Sequence, residues 1–177
     1  TEELPALVSP AGIADLEVGD IVESTNTYAD ELKEQGADLV VMLVHEGAPS
    51  INCAAMDDPG TTWGNIVTGV NANVDAIVSG HTHLAYDCSF PVTEWSDREV
   101  KERPVVSAGQ YGVNLNRLVY TVDPSTGEVE GLSTSLVALA GGGFEPDEAT
   151  EQIVSEAVAK ADELGAEVLG QIEAPLN

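Results

Sequence analysis

Residues 74–83 read Val-Asp-Ala-Ile-Val-Ser-Gly-His-Thr-His (VDAIVSGHTH). The short apolar, β-branched run at 74–78 has the composition of a strand buried under other layers. It ends abruptly in Ser79, Gly80, His81, Thr82 and His83. Upstream, residues 39–47 (LVVMLVHEG) repeat the design: a continuous apolar run at 39–44, then His45, Glu46 and Gly47. Such a run predicts a strand buried on both faces, as in a parallel or mixed sheet under helices. Downstream, residues 104–108 (PVVSA) predict a third strand, ended by Gly109-Gln-Tyr-Gly112. Three successive strands with polar punctuation at their carboxyl ends predict an α/β fold, in which ligands bind at those ends.

The intervening segments fit. Residues 25–35 (TNTYADELKEQ) predict a helix with Ser24 or Thr25 as N-cap and Gly36 as its stop, and residues 63–72 a shorter helix. Residues 48–62 and the stretch after His83, with Pro91 and the cluster Arg98, Lys101 and Arg103, read as loops. Residues 116–123 and 128–139 predict a hairpin around Pro124-Ser-Thr-Gly127. Gly141-Gly-Gly143 breaks the pattern. Residues 146–164 then predict a helix, with Asp147 and Glu148 where the macrodipole favours acids. Residues 1–24 read as irregular.

The chain carries 31 acids against 6 bases among its 177 residues, a net charge of −25. Such a surface repels nucleic-acid backbones and anionic lipid, so neither polymer nor membrane surface is an expected partner. No apolar run approaches the roughly 20 residues of a membrane span.

The chain has three histidines, His45, His81 and His83, and each follows a predicted strand. In an extended H-x-H, alternate side chains share a face, so His81 and His83 could address one metal or two adjacent ones. Three imidazoles suit zinc, manganese, iron or nickel rather than calcium. Asp57, Asp58 and Asp87 do not pair convincingly with them. No nucleophile elbow, P-loop or dinucleotide fingerprint is present. Cys53 and Cys88 form no C-x-x-C; they read either as two unrelated thiols or as one disulfide that implies an oxidising compartment.

In order, VVMLVHEG, VDAIVSGHTH and RPVVSAGQYG (residues 40–47, 74–83 and 103–112) resemble the calcineurin-like metallophosphoesterase superfamily. The narrower likeness is to secreted bacterial 5′-nucleotidases and 2′,3′-cyclic-nucleotide phosphodiesterases. The resemblance implies the C-terminal half of a four-layer α/β/β/α sandwich (residues 1–143). A linker helix (residues 144–177) would lead toward a substrate-binding domain. It also implies a two-metal centre for zinc, manganese or similar ions, with His45 and His81 on one ion and His83 on the other. The substrate would be a nucleotide or another phosphate ester, and the location extracellular or the cell surface.

The family's earlier motifs, D-x-H, G-D and G-N-H-[DE], do not occur here as a set, and the family's catalytic histidine belongs to them. The expectation is therefore a fragment with little activity of its own and partly filled metal positions. Its partner would be the rest of the domain or a second copy. The alternatives are a non-catalytic metal-binding module and a structural domain of a surface protein.

Overall fold

The computed structural model describes residues 1, 3–139, 141 and 143–173. It divides into two compact units, Thr1–Ala140 and Gly141–Asn177. Gly142 and residues 174–177, assigned above to the glycine break and the linker, lie outside the described residues.

The first unit opens with a single helical turn, α1 (Leu4–Leu7), where irregular chain was expected. Helix α2 (Ile21–Glu34) starts earlier than predicted, because its N-cap is Asp20: the carboxylate accepts the Glu23 N–H at 2.7 Å. Ser24 and Thr25 therefore lie inside the helix. Gly36, at φ +93°, turns the chain away as expected. Strand β1 (Val41–Leu43) follows, then α3 (Thr62–Gly69), capped by the Thr61 hydroxyl on the Gly64 N–H. Next come β2 (Ala76–Val78), β3 (Ala85–Pro91), β4 (Glu102–Ala108), and the hairpin β5 (Asn114–Val122) and β6 (Val129–Ala138).

The main sheet has the order β1-β2-β4-β3; the first three strands are parallel and β3 runs antiparallel to β4. One line of paired residues, Met42, Ile77, Val105 and Cys88, crosses all four strands. These residues pack with Ala29 of α2 and Trp63, Ile66 and Val67 of α3 in one buried cluster. Fully burying an aliphatic side chain such as Ile77 contributes about 1.5–3 kcal/mol. The hairpin packs against β3 and β4, giving helices, mixed sheet and hairpin in three successive layers.

Two expectations are corrected. The stretch after His83 is not all loop. Residues 85–91 form β3, whose alternation buries Tyr86 and Cys88 and exposes Asp87 and Ser89. It is an edge strand, where a terminal proline such as Pro91 is tolerated. Strand β1, in turn, is not buried on both faces. Met42 faces the helices, but Val41 is 42% and Leu43 78% exposed. As the opposite edge of the sheet, β1 has helices on one side and open space on the other.

The base of the sheet is held by charge. Asp75 is buried, and its carboxylate accepts from Lys33 Nζ at 2.9 Å, Arg98 Nη1 at 3.2 Å and the Val40 N–H at 2.9 Å. Arg103 donates to the Val74, Val70 and Asn71 carbonyls, and burial lowers its pKa to about 10. In the second unit, α4 (Glu148–Gly165) is capped by Asp147, which accepts the Thr150 N–H at 2.9 Å.

Candidate functional site

Because β1, β2 and β4 are parallel neighbours, their carboxyl ends lie side by side. His45 stands two residues past β1; His81 and His83 stand three and five past β2; Tyr111 stands three past β4. All three histidines thus reach one end of the sheet.

The turns after β1 and β2 are joined by main-chain bonds. The Val44 N–H donates to the Val78 carbonyl and the Gly80 N–H to the Glu46 carbonyl, both at 3.0 Å. A Cβ on Gly47 would overlap the Gly80 carbonyl oxygen, so the absence of a side chain at 47 permits the approach. Gly80 is not at positive φ, and a Cβ there would meet His45 Nδ1 at an ordinary 3.8 Å.

The left-handed positions are instead His81 (φ +65°), His83 (φ +61°) and Tyr111 (φ +52°). The extended H-x-H geometry is therefore wrong. With a kink at each histidine, the two rings take different neighbours. His81 meets His45 edge to face, with centroids 5.0 Å apart. His83 meets Tyr111 in the same manner at 5.6 Å. Bulky residues rarely adopt such angles, and their clustering beside a strand-end loop is typical of functional sites.

Glu3 Oε2 lies 3.5 Å from His81 Nε2. Glu46 is buried beside His45, and the Thr82 hydroxyl is buried without a protein hydrogen-bond partner. Among the described residues, no three His, Cys, Asp or Glu side chains converge as a metal-binding group. Asp58 instead turns the chain into α3, accepting the Gly60 N–H at 2.9 Å. Cys53 and Cys88 are joined as a disulfide, with Cα atoms 5.7 Å apart. It fastens the loop after His45 to β3. A cleft of about 490 Å³ lies at the other end of the sheet, beside Lys33, Asp38, Asp75 and Arg98, away from the histidines.

Sequence reasoning missed Tyr86, Ser79 and Tyr111. Tyr86 lies in the stretch read as loop; its alternation with Cys88 is the signal that marks both as inward-facing.

No protein-family model matches the chain. It is 24% identical over 179 residues to endonuclease YhcR of Bacillus subtilis, covering 97% of this chain and 13% of that protein. It is 28% identical over 119 residues to a 2′,3′-cyclic-nucleotide 2′-phosphodiesterase/3′-nucleotidase of Salmonella typhimurium, covering 63% of this chain and 17% of that one. Among solved structures, it superposes on the calcineurin-like phosphoesterase YfkN of Bacillus subtilis with a TM-score of 0.56 at 21% identity, covering 93% of this chain and 50% of that one. A 5′-nucleotidase precursor of Thermus thermophilus gives a TM-score of 0.63 at 18% identity, covering 86% and 29%. The fold is that of part of a calcineurin-like phosphoesterase. The chain spans less than a fifth of the two curated relatives and at most half of the two solved chains.

The site fits a divalent metal in part. Two apposed imidazoles are a suitable borderline donor pair, and His83 stands close in sequence. A hydrolytic two-metal centre also needs bridging and terminal carboxylates, and the described residues do not group them there.

Proposed function

We propose that this chain is the part of a nucleotide-directed phosphoesterase that supplies imidazole ligands from strand ends. His45 and His81 would hold one divalent ion and His83 would reach a second. The observation that carries the reading is the 5.0 Å apposition of His45 and His81 at adjacent parallel strand ends. The chemistry such ions supply when bound is neutralisation of phosphoryl charge and activation of water. This chain's own share is to present imidazole nitrogens, hold them through the joined turns of β1 and β2, and keep Tyr111 beside His83.

Residues outside these 177 would complete the carboxylate ligands and cover Val41 and Leu43, whose exposure favours such a neighbour. A net charge of −25 favours a small nucleotide over a nucleic-acid strand as substrate. The Cys53–Cys88 bond and the acidic surface together favour an extracellular or cell-surface location.

The test is a zinc and manganese titration of the 177-residue chain, with hydrolysis of AMP, 2′,3′-cyclic AMP and DNA followed in parallel. The reading expects metal binding without appreciable turnover. Full metal-dependent turnover by this chain alone would refute the need for outside residues. Absence of binding to either ion would refute the ligand assignment.

A further inference from the structure

We propose that the Tyr86 hydroxyl is a positioning group that locks the turn carrying His45 onto the turn carrying His81. The inference rests on the metal-ligand reading above for its purpose, but not for its geometry.

Tyr86 projects from β3 toward the helices and is buried, with its ring edge-on to Trp63 at 6.3 Å. Its oxygen accepts the Ala48 N–H at 3.2 Å, three residues after His45. The same oxygen lies 2.6 Å from Ser79 Oγ, two residues before His81. One hydroxyl therefore touches both histidine turns.

Ser79 Oγ donates to the Val106 carbonyl at 2.9 Å. Its single proton is thereby committed, so Tyr86 must donate to Ser79 and accept from Ala48. A one-way chain results: Ala48 N–H to Tyr86, Tyr86 to Ser79, Ser79 to Val106. Chains of this kind strengthen each member by mutual polarisation. Burial raises the Tyr86 pKa, which keeps the donating proton in place.

Two residues along the same strand, Cys88 holds Cys53. The inner face of β3 therefore grips the first half of the loop after His45 at two points, through a hydroxyl at the near end, Ala48, and a covalent bond farther along, at Cys53. Removing the hydroxyl frees the near end while the loop stays attached. Ala48 is fully buried, so its N–H would lose a partner that water cannot replace.

The experiment compares the wild-type chain with Tyr86→Phe, which keeps the ring and its packing. NMR at pH 8 reads ring-to-ring contacts between His45 and His81; calorimetry reads zinc affinity; a metal-free melt reads stability. The expected result is weaker His45–His81 contacts and zinc affinity lower by about tenfold or more, as for lost supports of metal ligands. Unchanged contacts together with unchanged affinity, with only the melt lowered, would overturn the proposal by giving Tyr86 a purely structural role. Should Tyr86→Phe not fold, Ser79→Ala cuts the other arm and is read by the same contacts. If the wild type binds no zinc, the ligand reading falls, while the ring contacts still decide whether Tyr86 sets the geometry.

Discussion

His45 and His81, 36 positions apart in sequence, meet edge to face with ring centroids 5.0 Å apart. The meeting follows from topology: β1 and β2 are parallel neighbours, and Gly47 lets the turn beyond β1 lie against the Gly80 carbonyl. If this pair is a ligand pair, His45→Ala and His81→Ala should each reduce zinc affinity by an order of magnitude or more. His83→Ala should spare the first ion bound and weaken any second. Calorimetry on the three variants would separate these outcomes, and equal losses in all three would contradict the division.

The close approach at Gly47 makes a paired prediction. Gly47→Ala forces a Cβ into the Gly80 carbonyl and should cost about 1–3 kcal/mol, the usual range for overpacking. Gly80→Ala meets its nearest neighbour at 3.8 Å and should be nearly neutral. Chemical denaturation of both variants would check the contrast.

The Cys53–Cys88 bond closes a loop of 35 residues. Loop-closure entropy puts the stabilisation at about 4 kcal/mol. The doubly substituted Cys53→Ser, Cys88→Ser chain should lose stability on that scale, and adding a thiol reductant should not destabilise it further. A melt with and without reductant is the measurement.

Two tyrosines, Tyr86 buried and Tyr120 half-buried, set an alkaline limit. Burial raises the Tyr86 pKa, and burial together with the Asp75 charge raises that of Tyr120, whose hydroxyl donates to the Asp75 carbonyl at 3.0 Å. In the unfolded chain both phenols ionise near the ordinary value of 10.0. Above that pH unfolding releases their protons, so their contribution is intact below about pH 10 and falls as pH rises. Tyrosinate absorbance and circular dichroism should therefore change together, in one transition above pH 10.

Strand β1 offers a test of what its outer face lacks. Leu43 is 78% exposed on an edge strand, the setting in which sheets pair with other chains. Leu43→Lys should leave the fold intact and reduce concentration-dependent association, read by light scattering. Unchanged association would place the contact elsewhere.

Most of the fold is legible in the sequence because buried parallel strands are written as unbroken apolar runs. The runs ending at His45 and His83 and the segment at 104–108 all proved to be neighbouring strands. Strand β3 was hidden because Asp87, Ser89 and Pro91 dilute its pattern, and an edge strand needs only its inward positions to be apolar. The outer face of β1 was misread for the opposite reason. An apolar run records that both faces are to be covered, not that this chain covers them. The placement of the histidines after strand ends was legible, but their geometry was not: the positive φ values at His81 and His83 have no composition signature outside glycine. Tyr86 was missed with its strand.

Half of the six bases are gathered around the base of the sheet: Lys33 and Arg98 on Asp75, and Arg103 on carbonyls nearby. The rest of the molecule meets solvent as an almost unrelieved anion. At low ionic strength such a body draws divalent cations in and drives phosphate-bearing ligands off. Adding salt would then slow the arrival of the first and speed that of the second, a kinetic signature opposite to that of enzymes that steer anionic substrates home.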